Sequence, residues 1–274
     1  MKTIPLIIAI LVLDIALSPD SSFANRRHFT YVYESAVLPK GSHELEIWNT
    51  LRVNRKDFYR GLDSRAEFEF GLGGNLQTSL YLNLSSEAFI ENGEISSDQT
   101  LGFSNEWKYK VLDATADVVG LALYGEGSFA TQEIELEGKI ILDKQIDQLL
   151  IAFNAVGEHS YVTGTSAGQA STQTEEIMEL DGGATYFITQ NFTAGIEVRE
   201  HIKRPPGFEG GGTFGAFFAG PSLSYAGPNW WSAISIMPQV AGNAKSGSGT
   251  IGTDKLELTQ HEKLEARLLL AFEF

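Results

Sequence analysis

Over the last eleven residues, Leu-Glu-Ala-Arg-Leu-Leu-Leu-Ala-Phe-Glu-Phe, the alternate positions Leu264, Ala266, Leu268, Leu270, Phe272 and Phe274 are all apolar. Successive side chains of a β-strand leave on opposite faces, so these share one surface while Glu265, Arg267 and Glu273 share the other. A period of two does not suit an amphipathic helix, whose apolar positions recur every three or four residues. A strand divided in this way needs an apolar medium on one side and water or polar partners on the other.

The same alternation recurs along the chain. At 44–53, Leu45, Ile47, Leu51 and Val53 oppose Glu44, Glu46, Thr50 and Arg52; at 65–72, Ala66, Phe68, Phe70 and Leu72 oppose Arg65, Glu67 and Glu69. Gly73-Gly74-Asn75 then turns tightly into Leu76, Thr78, Leu80, Leu82 and Leu84, which reads as a hairpin. Further strands are expected at 103–111, 119–129, 133–142, 149–157, 178–188, 192–198, 214–225 and 230–240, and the closing strand makes twelve. Short connections at 73–75, 113–115, 143–145, 189–191 and 226–229 alternate with longer polar ones at 56–63, 85–100, 159–174, 202–213 and 242–254; the link after Phe129 is the exception. Short periplasmic turns, longer external loops and an even strand number describe an all-β fold, a single transmembrane antiparallel up-and-down β-barrel of the outer membrane.

A soluble sandwich would also alternate, burying its apolar faces against each other. Two features favour the barrel. Runs of roughly ten residues suffice to cross a bilayer when tilted. Phe70, Tyr109, Tyr186, Phe192, Trp230, Phe272 and Phe274 also all lie beside the short turns or the chain end, where a girdle would mark the periplasmic interface. With the apolar faces in lipid, Arg52, Arg65, Glu67, Glu69, Glu106, Lys108, Glu135, Glu137, Lys139, Glu197, Arg199, Glu265 and Arg267 point into the lumen. Such charges need water or partners. Cross-strand ion pairs are expected between Arg52 and Glu67 or Glu69, and between Glu265, Arg267 and the first strand.

Tyr31-Val32-Tyr33, Leu38-Pro39-Lys40-Gly41 ahead of Glu44-Leu45-Glu46, and Ala152-Phe153-Asn154 with Glu158 resemble the outer-membrane proteins grouped under the name MetA-pathway of phenol degradation. The resemblance implies a barrel that passes small, often hydrophobic, compounds. A last strand ending in an aromatic residue similarly resembles the terminal signature of bacterial outer-membrane barrels. It implies the barrel assembly machinery as a partner, beside outer-membrane lipid.

Lys2 precedes an apolar run from Ile4 to Leu17 that is short for a spanning helix, and Ser22-Phe23-Ala24 supplies small residues. Residues 1–24 therefore read as a secretory signal peptide, with an uncleaved anchor as the alternative. Residues 25–42 lack sustained alternation and form a periplasmic N-terminal segment or plug, of which Tyr31, Tyr33, Val37 and Leu38 could enter the lumen; 43–274 is the barrel. Cysteine is absent, so disulfides and thiolate metal sites are excluded. The net charge of -15 makes nucleic acid an unsuitable partner, because phosphate recognition needs a basic surface.

Gly164-Thr165-Ser166-Ala167-Gly168 has the form of a nucleophile elbow, but that turn leads from a strand into a helix and no helical pattern follows. His159-Ser160 offers the histidine and serine of a barrel phospholipase without the third member or the spacing. Gly207-Phe208-Glu209-Gly210-Gly211-Gly212 lacks the lysine of a phosphate cradle. No calcium-loop spacing occurs, and five scattered histidines do not make a zinc site. The expectation is a barrel that passively admits small, hydrophobic or aromatic solutes, with no catalytic residue, cofactor or metal. A sealed structural or surface-interaction barrel and an outer-membrane hydrolase are the alternatives.

Overall fold

The computed structural model describes residues 26–166, 169–205, 212–246, 249–250 and 255–274. The signal-peptide expectation at 1–24 and most of the glycine-rich stretch at 207–212 lie outside these. The elements are β1 (His43–Val53), β2 (Tyr59–Gly73), β3 (Leu76–Glu91), β4 (Glu94–Leu112), β5 (Gly120–Ala130), β6 (Glu133–Ile146), β7 (Leu149–Ser166), β8 (Gln169–Phe187), β9 (Phe192–Arg204), β10 (Thr213–Ala226), β11 (Trp230–Ser246), β12 (Gly249–Thr250) and β13 (Leu264–Glu273). Each long strand pairs antiparallel with its neighbours, and β13 returns to β1 from Glu44↔Glu273 to Val53↔Leu264, which closes the cylinder. The two-residue β12 pairs only with the end of β11, so the wall has twelve strands. Closure leaves no unpaired edge, the condition for a sheet to sit in hydrocarbon.

Outward residues settle the medium. Leu80, Leu82, Leu84, Leu136, Ile140, Leu180, Ile196, Ile234 and Ile236 are all exposed on the outer face. A soluble sandwich would bury that face, whereas lipid covers it here. No helix among the described residues is long and apolar enough to cross a membrane; the strands do so.

Two stretches expected as loops are paired strand. β3 and β4 pair as far as Glu91↔Glu94, and β7 and β8 as far as Ser166↔Gln169, so most of 85–100 and 159–174 belongs to ladders. Asn92 and Gly93, with φ of 53° and 84°, form the two-residue tip of the first hairpin, whose twist suits a type I′ turn. The alternation fades there because both faces of a protruding hairpin meet water; the first residues of β4 are almost all exposed. Backbone pairing persists where the hydrophobic pattern does not.

Candidate functional site in the barrel interior

The pleat directs every second residue of each strand inward, and the interior so formed is occupied at one end by residues 26–42. These touch the wall on many sides. The Glu197 carboxylate of β9 accepts the backbone N–H groups of Thr30 (2.9 Å), Tyr31 (2.7 Å) and Val32 (3.3 Å), as well as the Thr30 hydroxyl. Asn154 of β7 holds Tyr33 from both sides, accepting its N–H at 2.6 Å and donating to its C=O at 3.0 Å. Asp143 of β6 accepts Ser35 N–H, and Gln77 of β3 accepts Leu38 N–H. Arg27 donates to Glu46 of β1 at 3.1 Å and to the carbonyl of Thr30. An extended segment without a sheet partner must satisfy its backbone by other means, and inward side chains supply them.

Aromatic side chains fix the same segment. Phe29 and Val32 pack on Leu150 and Ala152, with Gly183 so close that a Cβ there would overlap the Phe29 ring. Tyr31 packs with Ala216, Phe218 and Met237, lies under the Arg267 guanidinium (3.7 Å to the ring centroid) and donates its hydroxyl to Glu265 at 2.7 Å. Tyr33 packs with Ala122, Tyr124 and Ile141, and both Arg27 and Lys139 sit over its ring. Outside the strands, His28 Nδ1 meets Glu34 at 3.1 Å. Burial opposes the charged imidazole, but Glu34 outweighs it and raises the His28 pKa; burial likewise opposes Glu34 ionisation, and His28 outweighs that, lowering the carboxyl pKa.

Beyond Tyr31 and Tyr33 the interior opens into a cavity of about 340 Å³, with Trp48 among its apolar lining. Its acidic lining residues, Asp63, Glu133, Glu135, Glu137, Glu158, Glu179 and Asp181, outnumber the basic Arg65, Lys139, Arg199 and Arg267. The opposite mouth is narrowed by residues 255–263. Glu262 bridges Arg52 (3.1 Å) and Arg55 (2.5 Å), while His261 lies between Glu257 (2.5 Å) and His201 of β9 (2.7 Å).

The thirteen charged positions singled out in the sequence divide into groups. Arg52 binds Asp63, Glu87 and Glu262 near that mouth. Arg199 joins Glu179 (2.5 Å) to Glu265 (3.0 Å), Lys139 pairs with Glu137 at 2.6 Å, and Arg65 stacks on Trp48 and Tyr81 while reaching Glu126. Glu135 accepts from Ser160, and Arg267 donates to Thr50. Glu67, Glu69, Glu106 and Lys108 are buried towards the end that holds residues 26–42; Tyr81 donates to Glu106 and Gln77 to Glu69. Glu197 is wholly buried against the segment.

The expected strand-to-strand ion pairs differ in their partners. Antiparallel register sets Arg52 opposite Gly61 and Glu67 opposite Glu46, so Arg52 lies too far along β2 to meet Glu67 or Glu69. Glu265 pairs across the interior with Arg199, not with β1. Of the aromatic positions, Tyr109, Tyr186 and Phe274 are exposed, and Phe70, Phe192, Trp230 and Phe272 are half-buried on the outer face. His43 touches both Phe70 and Phe274. Sequence reasoning missed the apolar cluster of Trp231, Leu269, Ala271, Ala226 and Ala233 with Trp48, all inward. Leu269 and Ala271 interrupt the polar side of the last strand, and this was their only signal.

The His159-Ser160 pair does not assemble into a hydrolase site. His159 meets the Tyr161 ring edge-on, while Ser160, on the other face of the strand, is buried and bonded to Glu135. Ala167 and Gly168 of the elbow-like motif lie outside the described residues, and its first three residues are paired strand.

Residues 21–274 match the family described as Family of unknown function (DUF6662). The chain belongs to that family. No protein of curated function matches it in sequence. Among solved structures, the chain is similar to an outer-membrane channel from Pseudomonas putida F1, with a TM-score of 0.58 at 10% identity over 94% of this chain and 100% of the other. It is also similar to the translocator domain of the autotransporter NalP from Neisseria meningitidis, with a TM-score of 0.54 at 8% identity over 85% and 88% of the two chains. The NanC porin follows at 0.49, 13% identity, 83% and 98%. At these identities the likeness establishes the fold, a bacterial outer-membrane β-barrel. The match to DUF6662 leaves the likeness to the MetA-pathway family one of short motifs.

Proposed function

We propose that this barrel passes small solutes across the outer membrane and that residues 26–42 act as a plug restricting the path. The observation that carries the reading is the cavity of about 340 Å³ lying beyond the plug, lined by charges and aromatic rings together. A barrel with a purely structural interior would be filled by interdigitating side chains, as small barrels are. The similarity to an outer-membrane channel supports the reading. The acidic excess of the lining favours cations or neutral amphipathic molecules over anions. The girdle positions, from Phe70 to Phe274, anchor the barrel in lipid, and the last strand engages the assembly machinery. No catalytic chemistry is assigned.

The dense contacts of residues 26–42 favour a second reading, a permanently sealed barrel. Planar-bilayer recording separates the two. Full-length protein should give small or infrequent conductance steps, and a chain lacking residues 26–38 should give steps several-fold larger with cation preference. Silence from both, with folding verified by circular dichroism, would establish the sealed barrel instead.

A further inference from the structure

At the plugged end, five glutamates gather: Glu44 and Glu46 on β1, Glu67 and Glu69 on β2, and Glu106 on β4. All are at most 5% exposed. Arg27 and Lys108 stand among them, and Arg26 and Arg267 act on Glu44 and Glu46, so among the described residues the five carboxylates still outnumber the cations around them and leave a surplus of buried negative charge. Such a surplus is unstable in a low-dielectric interior unless protons or a bound cation offset it.

The geometry of three of these residues is that of a ligand set. One carboxylate oxygen from each of Glu44, Glu46 and Glu69 lies within 4.8 Å of the others. A calcium ion takes oxygen ligands at about 2.4 Å, so ligands on opposite sides of it stand about 4.8 Å apart. Each carboxylate is also oriented by a neutral or cationic donor: Trp231 Nε1 to Glu44 Oε2, Arg27 to Glu46 Oε1 and Gln77 Nε2 to Glu69 Oε2. Donors that orient the carboxylates are what a metal site requires around its ligands.

A separate observation concerns the oxygens that remain. Glu44 Oε1 and Glu46 Oε2 have no hydrogen-bond partner although both side chains are wholly buried, and Glu67 Oε1, directly across from Glu46, is in the same condition. Orphaned acceptors of this kind are rare in folded proteins and each needs a ligand or a proton. A cavity of about 230 Å³ at the plugged end is lined by Arg27 and Trp231, the donors that hold Glu46 and Glu44.

We infer that Glu44, Glu46 and Glu69 bind a hard divalent cation, calcium or magnesium, at the plugged end of the barrel. Because Arg27 reaches Glu46 from the plug, the ion would stiffen the attachment of residues 26–42. The site does not require that the barrel conduct. Calcium or magnesium chloride titrated calorimetrically into refolded, chelator-treated full-length protein in lipopolysaccharide-free detergent should show one saturable site per chain. Glu44→Gln with Glu46→Gln should weaken binding at least roughly tenfold, and Trp231→Phe, which removes only an orienting donor, should weaken it within the range of roughly 10–100-fold. Glu133→Gln, at the far end, should leave it unchanged. Should the double variant not fold, Glu69→Gln and Trp231→Phe carry the comparison. Absence of saturable binding to wild type, or binding unaltered by these variants, would overturn the site and assign the orphaned oxygens to carboxyl protons.

Discussion

Residues 26–42 and residues 255–263 both narrow the barrel, one at each end, but they are held in different ways. The first is gripped through its own backbone: Glu197, Asn154, Asp143 and Gln77 take successive N–H groups, and Phe29, Tyr31 and Tyr33 fill prepared apolar sites. The second continues the wall. Lys263 N–H bonds to Asn54 C=O beside the start of β13, Gly242 N–H bonds to Lys255 C=O, the Gln239 side chain of β11 donates to the carbonyls of Glu257 and Glu262 and accepts the Glu257 N–H, and charged side chains add ion pairs. A segment bound like a ligand can leave as a unit without disturbing the wall; a loop continuous with the ladder can only fray. On the proposed reading, large rearrangement is expected at the end that holds residues 26–42 and small adjustment at the other.

Cutting the backbone grip should have the largest effect. Glu197→Ala leaves three buried N–H groups without an acceptor, at about 1–3 kcal/mol each. Amide exchange at residues 30–32 should quicken by at least roughly a hundredfold while that of β5 and β6 stays the same. Equal acceleration everywhere would mean that segment and wall are one unit. The aromatic anchors come next. Tyr31→Ala, which removes the ring under Arg267, should cost about 3–4 kcal/mol of segment attachment, and Tyr31→Phe, which loses only the bond to Glu265, about 1 kcal/mol; protection of residues 26–42 from protease measures both.

Glu262→Gln tests the other mouth. It weakens the bridge to Arg52 and Arg55, two half-buried guanidiniums, and should raise the frequency of brief current flickers without altering the protection of residues 26–42. A change in both would join the two ends into one mechanism.

The smallest effect expected is that of pH on the His28–Glu34 contact. The raised His28 pKa makes the contact stabilising below the ordinary imidazole value of 6.5, and that stability is lost as pH rises through the raised value. The lowered Glu34 pKa makes it stabilising above the ordinary carboxylate value of 4.5, and that is lost as pH falls through the lowered one. Protection of residues 26–42 should hence be greatest between those limits, and His28→Gln should flatten the profile.

The wall was legible because membrane and water impose opposite demands on alternate residues; the pattern around Ile134, Leu136, Ile140 and Glu135, Glu137, Lys139 maps directly onto outside and inside. Legibility ended where that demand ended. The Asn92-Gly93 dipeptide carried the hairpin signal for the protruding part of β3 and β4, but Ser96, Ser97, Asp98 and Gln99 around it show no sided pattern. The interior was legible by residue type and not by partner. Glu197 looks like any other inward glutamate, and nothing local to it announces that its acceptors serve the backbone of Thr30.

That bond spans 167 positions in the chain, the Thr30–Ser235 bond 205 and the Tyr31–Glu265 bond 234. Residues 26–42 leave the ribosome ahead of every strand, yet their seat includes residues of β9, β11 and β13, so it exists only once the wall is nearly complete. Contacts so distant in sequence form late, since their ordering cost precedes any reward. Each molecule must accordingly pass, during its own biogenesis, through a nearly closed cylinder in which the seat of residues 26–42 is still empty.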